Sequence, residues 1–556
     1  MKTVIESVSD IITRPISLLS SISKVFERIV FNDLYNYFVS NDLLNDCNSG
    51  FRKHDSTTNR LLALLDSIYR GLEERKDIIM ILLDISKAFD KVWHPGLLFK
   101  LRQYGVTGNL FSWLQSYLEN RRQRVVIGGK SSEYLPLYAG VPQGSILGPL
   151  LFLIFINDMP SVTNLECHQY ADDTTYLCHV SNPVTAVNQI NSQLILLSEW
   201  ASRWKITFNA NKTYFMYITK KARRPLLSPI FLNNHIIQEV YSHVNLGLII
   251  TNKLSWTDHI HSIVNKAHKR LNVISRYRLL LPRPVLNTLY LTMVRPVLEY
   301  CDVVYDNSPA YLKLVLESVQ RKAAIICSGA YRHTETKLLL RDLSWNTLGD
   351  RRLIHKLTLF YKIYYQIYPA YLYAILPPKS IPTYNFRNNY EFKIPFYRLN
   401  CTSGSFFPST AKVWNTLSPP VRQAESIVTF KRLICPPLRP NKYYSSCIGK
   451  EGNWITRLRL GLSPLNSHRF TYHLIGEPYC PFCVNVPETT DHFLLTCPQY
   501  AAARLDFLRS LSDIGVNINN NNDIINVILH GVNFQHSPTT VINLTIIYLK
   551  CTGRFK

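Results

Sequence analysis

The sequence predicts an α+β chain, and three observations carry that prediction. An apolar run, Ile78-Ile79-Met80-Ile81-Leu82-Leu83, ends in the single acid Asp84. That is the pattern of a buried strand delivering one carboxylate at its tip. Tyr170-Ala171-Asp172-Asp173, followed by Thr174-Thr175-Tyr176-Leu177, reads as a tight hairpin that pushes two adjacent acids into one exposed spot. Around these strand signals, apolar residues recur with helical spacing over 22–45, 54–75 and 259–278.

The elements follow in chain order. The first two amphipathic patterns flank the strand ending at Asp84. Gly108 and Asn109 open a helix running through Tyr117, with Asn109 suited to its cap. Arg121 to Ile127, Gly128-Gly129 and the run through Leu137 read as a hairpin. Gly144 to Phe155 reads as a buried helix. From His259, apolar Ile260, Ile263, Val264, Ala267, Leu271 and Ile274 share one helix face, opposite Lys266, His268, Lys269 and Arg270. Leu281-Pro282-Arg283-Pro284 marks a boundary before helical segments that reach Tyr331. Residues 377–440 are rich in Pro, Asn and Tyr and suggest only a scaffold or connector. A basic helical piece, Trp454 to Leu460, precedes a cysteine cluster, and Asn519 to Asn522 reads as a loop.

Composition narrows the partner. Lys and Arg number 62 against 38 acids, a formal charge of +24. A surplus of this size points to a polyanion, because neutralising phosphates releases counterions. The longest strongly apolar run, Ile146 to Ile156, holds Gly and Pro and falls short of the roughly 20 residues a membrane helix needs. No cationic leader followed by an apolar stretch stands at the start, so secretion is not expected. Twelve scattered cysteines argue against a disulfide scaffold and for a reducing compartment, cytoplasm or nucleus.

Two constellations carry chemistry. Carboxylates about 4 Å apart repel by roughly 4 kcal/mol at an effective dielectric near 20. Three clustered acids, Asp84, Asp172 and Asp173, are therefore expected to need a hard divalent cation. The second constellation is Cys480, Cys483, His492 and Cys497, in the pattern Cys-x₂-Cys-x₈-His-x₄-Cys. Three thiolates and one imidazole can supply a closed tetrahedral zinc site. Pro498 disfavours helix at Cys497, which lets the chain bring that thiol back towards His492.

Between the two acidic elements lies Gly140-Val141-Pro142-Gln143-Gly144-Ser145, then Gly148-Pro149-Leu150-Leu151-Phe152. Arg14-Pro15-Ile16-Ser17-Leu18-Leu19, Gly50-Phe51-Arg52, Lys87-Ala88-Phe89-Asp90 and Ile156-Asn157-Asp158-Met159-Pro160 complete the series. In this order the blocks closely resemble the polymerase motifs of non-LTR (LINE-type, jockey-like) retrotransposon reverse transcriptases, over about the first 260 residues. The resemblance implies a right hand of fingers, palm and thumb, then a mainly helical connector and a small zinc-knuckle-like module. Fingers and palm would occupy 1–257, a thumb-like helical region 258–345 and a connector 346–440. A basic segment with the knuckle would follow at 441–500, then a C-terminal tail at 501–556.

It also implies an RNA-directed DNA polymerase working by two-metal nucleotidyl transfer. Asp84, Asp172 and Asp173 would hold two Mg²⁺ (or Mn²⁺), helped by the carbonyl of Ile85. Phe89 would face the sugar 2′ position, and Arg52 would meet the incoming triphosphate. Gln143 and Gly144 would support nucleotide and template beside Tyr170. Lys212, near the pyrophosphate, would be the general acid, and the zinc module would grip nucleic acid. Asp90 and His94 are expected to be structural.

Partners implied are element RNA as template, target DNA as primer, and dNTPs. The nick would come from a missing domain or another protein, and integration would be nuclear. Asn48, Ser49, the segment Asn245-Leu246-Gly247 and Thr251 depart from the family pattern, in positions expected to bear on finger packing and primer grip. Little sequence precedes Arg14, so a truncated copy is expected, and the alternative is a chain that binds nucleic acid without copying it.

Overall fold

The computed structural model describes residues 17–380, 391–436, 443, 446–447, 449–518, 520–531 and 537–555. Arg14, Pro15 and Ile16 of the first motif, and Asn519 of the asparagine run, lie outside the described residues. The chain divides into two compact units, Met1–Trp256 with Leu359–Leu417, and Thr257–Thr358 with Ser418–Lys556.

In the first unit, helices α1 (Ser21–Ser40) and α2 (Thr57–Glu73) precede strand β1 (Asp77–Leu83). Helices α3 (His94–Gln103), α4 (Gly108–Leu118) and α5 (Gly148–Ile156) follow, then strands β2 (Glu166–Tyr170) and β3 (Asp173–Val180). Helix α6 (Pro183–Arg203) and strands β4 (Tyr214–Ile218) and β5 (Gln238–Glu239) complete a five-stranded sheet of order β5-β4-β1-β3-β2. Every residue of β1 is buried because it lies mid-sheet, antiparallel to both β3 and β4. An unbroken apolar run suits that place. The expected hairpin over 121–137 forms, pairing Arg122–Gln123 with Leu135–Pro136 and Val126–Ile127 with Lys130–Ser131.

Helix ends show where local chemistry acts. Ser56 caps α2 by accepting from the Asn59 amide, and Asn182 caps α6 by accepting from Val184 and Thr185. Helix α5 begins at Gly148 rather than Gly144. Gly144 has φ +108, outside helical space, and the Ser145 hydroxyl accepts from the Gly148 amide. Glu27 of α1, almost wholly buried, accepts from the Ile146 and Leu147 amides just before that helix. A buried carboxylate there is matched by amides that have no helical partner. In α4 the cap position falls to Thr107 rather than Asn109.

Residues 359–417, from the expected connector, belong to the first unit. Phe360 packs on Phe392 and Trp414 at ring distances of 5.4 and 5.2 Å. The Arg398 guanidinium donates to the Leu72 carbonyl at the end of α2.

The second unit opens with helix Thr257–Arg276, which buries Ile260, Val264, Ala267, Leu271 and Ile274 while Lys266 and Lys269 face solvent. The described residues from Ala501 to Phe555, expected as a tail, are mostly helical. Helices Ala501–Asp513, Asn521–His530 and Pro538–Cys551 share one apolar core with Ile455, Leu458, Cys480, Phe493 and Cys497. Asn520 to Asn522 are correspondingly not a loop, since Asn520 caps the helix that Asn521 and Asn522 begin. Apolar spacing at Ile524, Val527 and Ile528 outweighs the poor helix propensity of the asparagines. Among the described residues no helix is long and apolar enough to cross a membrane.

Candidate active site and metal centre

Strand register brings the acids to one edge. Leu82 pairs with Thr175 and Leu83 with Thr174, so Asp84, the next residue, emerges beside the start of β3 at Asp173. Tyr170 pairs with Asp173, which leaves Ala171-Asp172 as a two-residue hairpin loop with Ala171 at φ +57. Asp84 and Asp172 are half-buried and Asp173 is exposed. Asp84, Asp173 and Lys212 line one cleft of about 250 Å³, together with Tyr214, His243 and Asn245. Asp172 stands next to this cleft along the chain, in the hairpin loop.

Lys212 reaches the cleft because its segment is laced to the one carrying Asp84. The Asp84 amide donates to Thr213 Oγ1 at 3.3 Å, and the Asp84 carbonyl accepts from the Asn209 amide at 2.9 Å. The Ser86 amide donates to the Thr207 carbonyl at 3.0 Å, and Ile85 bridges Phe208.

A second segment braces the acidic turn. The Asn48 amide oxygen accepts from the Gly50 amide at 3.0 Å and from the Ala171 amide at 3.1 Å. The Ser49 amide donates to the Gln169 carbonyl and the Gln169 amide to the Cys47 carbonyl, so residues 47–49 run along β2. Gly50 lies so close that a Cβ there would overlap the Ala171 backbone nitrogen. Sequence reasoning missed this brace and took Asn48 only as a departure in finger packing. The Asn-x-Gly spacing was the available signal. Asn245, another departure, is buried and donates to Thr175 Oγ1 at 2.9 Å.

The other expected substrate residues do not line the cleft. The Arg52 guanidinium is held by Asp46 at 3.0 Å and by the Asn45 carbonyl. Phe89 stacks on Phe152 at 4.6 Å and meets Phe51 edge-on. The Gln143 side chain donates to Asp90 at 3.1 Å, and its carbonyl accepts from the Ser17 amide at 2.7 Å. Gly144 follows with its positive φ. Tyr170 is half-buried, and burial, with Asp55 nearby, pushes its hydroxyl up. His94 contacts the Gly140 carbonyl at 2.8 Å, and burial pushes its imidazole down.

In the second unit, ligand atoms of Cys480, Cys483, His492 and Cys497 all lie within 4.8 Å of one another. The Cys497 sulfur is 3.8 Å from that of Cys480 and 3.9 Å from that of Cys483. Zn–S bonds of about 2.3 Å at tetrahedral angles put sulfurs roughly 3.8 Å apart. His492 Nδ1 meets Thr496 Oγ1 at 3.2 Å, whereas the buried Nε2 has no hydrogen-bond partner among the described residues. That buried nitrogen and the sulfur spacing fit a metal. Cys497 is extended, as Pro498 requires, at the end of a short π-helical turn His492–Thr496. Burial first, then the neighbouring thiols, push the Cys497 thiol up to about 12, and a bound cation would reverse that by favouring the thiolate.

Comparison with known proteins agrees with this geometry. Residues 11–254 match the family model described as reverse transcriptase (RNA-dependent DNA polymerase). The RNA-directed DNA polymerase from mobile element jockey of Drosophila melanogaster is 30% identical over 351 residues, covering 61% of this chain and 38% of that protein. The probable RNA-directed DNA polymerase from transposon X-element of the same species is 30% identical over 348 residues, with the same coverage. The chain thus spans less than half the length of these relatives. Among solved structures, apo telomerase from Candida tropicalis overlaps 60% of this chain and 53% of its own, at 11% identity and a TM-score of 0.36. Family match, motif order and the acids at one end of the sheet agree: residues 11–254 match the reverse transcriptase (RNA-dependent DNA polymerase) family and resemble the corresponding region of LINE-type, jockey-like retrotransposon polymerases.

Proposed function

We propose that this chain is the RNA-directed DNA polymerase of a LINE-type retrotransposon. It transfers a nucleotidyl group from a dNTP to a primer 3′-hydroxyl on an RNA template, in target-primed reverse transcription in the nucleus. The observation that carries the reading is the β1–β3 register, with Asp84 and Asp173 on one cleft beside Lys212. Asp84, Asp172, Asp173 and the Ile85 carbonyl are the groups that would hold two Mg²⁺. Such ions, when bound, activate the attacking oxygen and stabilise the leaving oxygens.

The protein's own groups then have these roles. Lys212, exposed on the cleft wall, donates a proton to the departing pyrophosphate, a contribution of roughly 10²–10⁴-fold. Phe89, stiffened by Phe152, walls off the sugar 2′ position and so favours deoxynucleotides. Arg52 neutralises the triphosphate once it exchanges Asp46 for phosphate, a bidentate partner suited to a guanidinium. Gln143 and Gly144, held by Asp90 and Ser17, support the templating pair. Helix Thr257–Arg276 acts as a thumb on the duplex backbone. The Cys480, Cys483, His492 and Cys497 cluster holds structural Zn²⁺ within a module that contacts nucleic acid.

The test is dTTP incorporation on poly(rA)–oligo(dT) with Mg²⁺. Asp172→Ala and Asp173→Ala should each lower the rate by at least about 10²–10³-fold, the scale of removing one charge-stabilising group. An unmutated chain that incorporates nothing, yet binds RNA in a salt-sensitive way, would replace this reading with that of a binding protein.

A further inference from the structure

Residue 371 has no role in any motif above, and its segment carried no chemistry in the sequence. In the structure the Tyr371 hydroxyl lies 2.9 and 3.1 Å from the two Asp55 carboxylate oxygens and 3.1 Å from Ser49 Oγ. The Arg60 guanidinium sits 4.4 Å over the Tyr371 ring and donates to Ser49 Oγ at 2.7 Å and to the Asp46 carbonyl at 2.7 Å. Ser49 and Arg60 are both buried.

Proton accounting gives this group a single direction. The Asp55 carboxylate can only accept, so the tyrosine donates to it. The serine hydroxyl must then donate to the tyrosine oxygen, which leaves its lone pair for Arg60. Every member is satisfied, and the ends of the relay are a cation and an anion, so each bond polarises the next. Tyr371 thereby ties Asp55 to Ser49, and Arg60, stacked on its ring, carries the tie on to the Asp46 carbonyl at the other end of the Asp46–Asp55 loop. Within that loop Asn48 holds the Ala171 amide, one residue before Asp172, and Arg52 stands on the same short stretch.

We propose that Tyr371 is a positioning residue of the polymerase site: it clamps the Asp46–Asp55 loop, and through Asn48 it sets the turn that carries Asp172 and Asp173. This rests on the polymerase reading above. It also gives the Ser49 departure a reason, since an apolar residue there would leave the buried Arg60 Nε–H without the acceptor that Ser49 Oγ supplies.

The experiment uses the full chain with Tyr371→Phe, which keeps the ring under Arg60 and removes only the hydroxyl. Loss of a hydrogen bond to a charged group predicts a fall in kcat of roughly tenfold. The half-saturating Mg²⁺ concentration should rise severalfold, because the acidic turn is no longer held. Binding to poly(rA)–oligo(dT) should stay unchanged, and Ser49→Ala added to Tyr371→Phe should cost little more than either alone. Unchanged kcat and unchanged Mg²⁺ half-saturation would overturn the proposal. So would a loss of rate that only follows a lower Tm with the Mg²⁺ midpoint intact. If the wild type incorporates no dNTP, the polymerase reading fails by itself. The clamp is then read from hydrogen exchange at the Gly50 and Ala171 amides, where faster exchange in Tyr371→Phe supports it and equal exchange sinks it.

Discussion

The acids at the end of the five-stranded sheet and the Cys/His cluster of the second unit assemble their ligands by opposite means. Asp84 and Asp173 lie far apart in the chain and meet because β1 and β3 pair in one register. They stand at a half-exposed edge, with charge facing solvent. Cys480, Cys483, His492 and Cys497 come from one short stretch, folded by a turn and a π-helical turn, and three of the four are buried. The first site therefore depends on long-range pairing, and a one-residue slip would carry Asp84 to the other face of the sheet. The second depends on local geometry plus a core that seals it.

This contrast can be broken most severely at the cysteine cluster. Cys497→Ser, or chelation, should cost the second unit's C-terminal core several kcal/mol of unfolding free energy, within the roughly 10–16 kcal/mol of structural zinc sites, and so lower its Tm sharply. Calorimetry with metal analysis checks it. Asp173→Asn should leave Tm unchanged or raise it, because it relieves repulsion rather than removing a core contact. A stable, metal-free Cys497→Ser chain would end the distinction.

A second test strikes the brace behind the acids. Gly50→Ala forces a methyl group into the Ala171 backbone, so the turn must move. A displacement near 1 Å at a reacting centre costs up to about 10²-fold, which incorporation kinetics would read as a fall in kcat. Wild-type kinetics in this variant would show that the turn is set elsewhere.

The smallest effects separate the units by pH. Burial pushes His259, in the second unit, down to about 4. Between its ordinary value of 6.5 and that value the unfolded chain binds more protons, so stability is lost as pH falls below 6.5. The loss is about 2 kcal/mol at pH 5. Burial pushes Asp66, in the first unit, up to about 6, with Arg70 offsetting part of the shift. Here the folded state binds the extra proton, so stability rises by about 1 kcal/mol as pH falls from 7 to 5. Denaturant unfolding at the two pH values should show that His259→Phe removes the loss and Asp66→Asn the gain. Identical slopes in variant and wild type would refute the assignment.

Several elements were legible in the residues. The run Ile78–Leu83 announced a central strand, Tyr170–Asp173 a two-residue hairpin, and the spacing from Ile260 to Ile274 a one-faced helix, because each signal is local and periodic. Pro498 likewise announced the extended backbone at Cys497. The helices after residue 500 were not legible, since asparagines and a modest apolar pattern favour helix only once a core receives them. Residues 359–417 were opaque for a related reason. Their irregular Pro- and Tyr-rich sequence has no period of its own and takes its place from partners such as Leu72 and Phe392.

By itself the sequence marked the candidates for chemistry: the strand-end acid, the paired acids and the Cys/His spacing as local patterns of residue type, and the lysine only through the family resemblance. Only the tertiary structure decided that Asn48, Gly50 and Tyr371 stand behind the acidic turn, and that Arg52 rests on Asp46 rather than on the cleft. The pairings of Asn48 with Ala171 and of Tyr371 with Asp55 join residues 123 and 316 positions apart. No local pattern encodes them, because they exist only after strand register and core packing have brought the partners together.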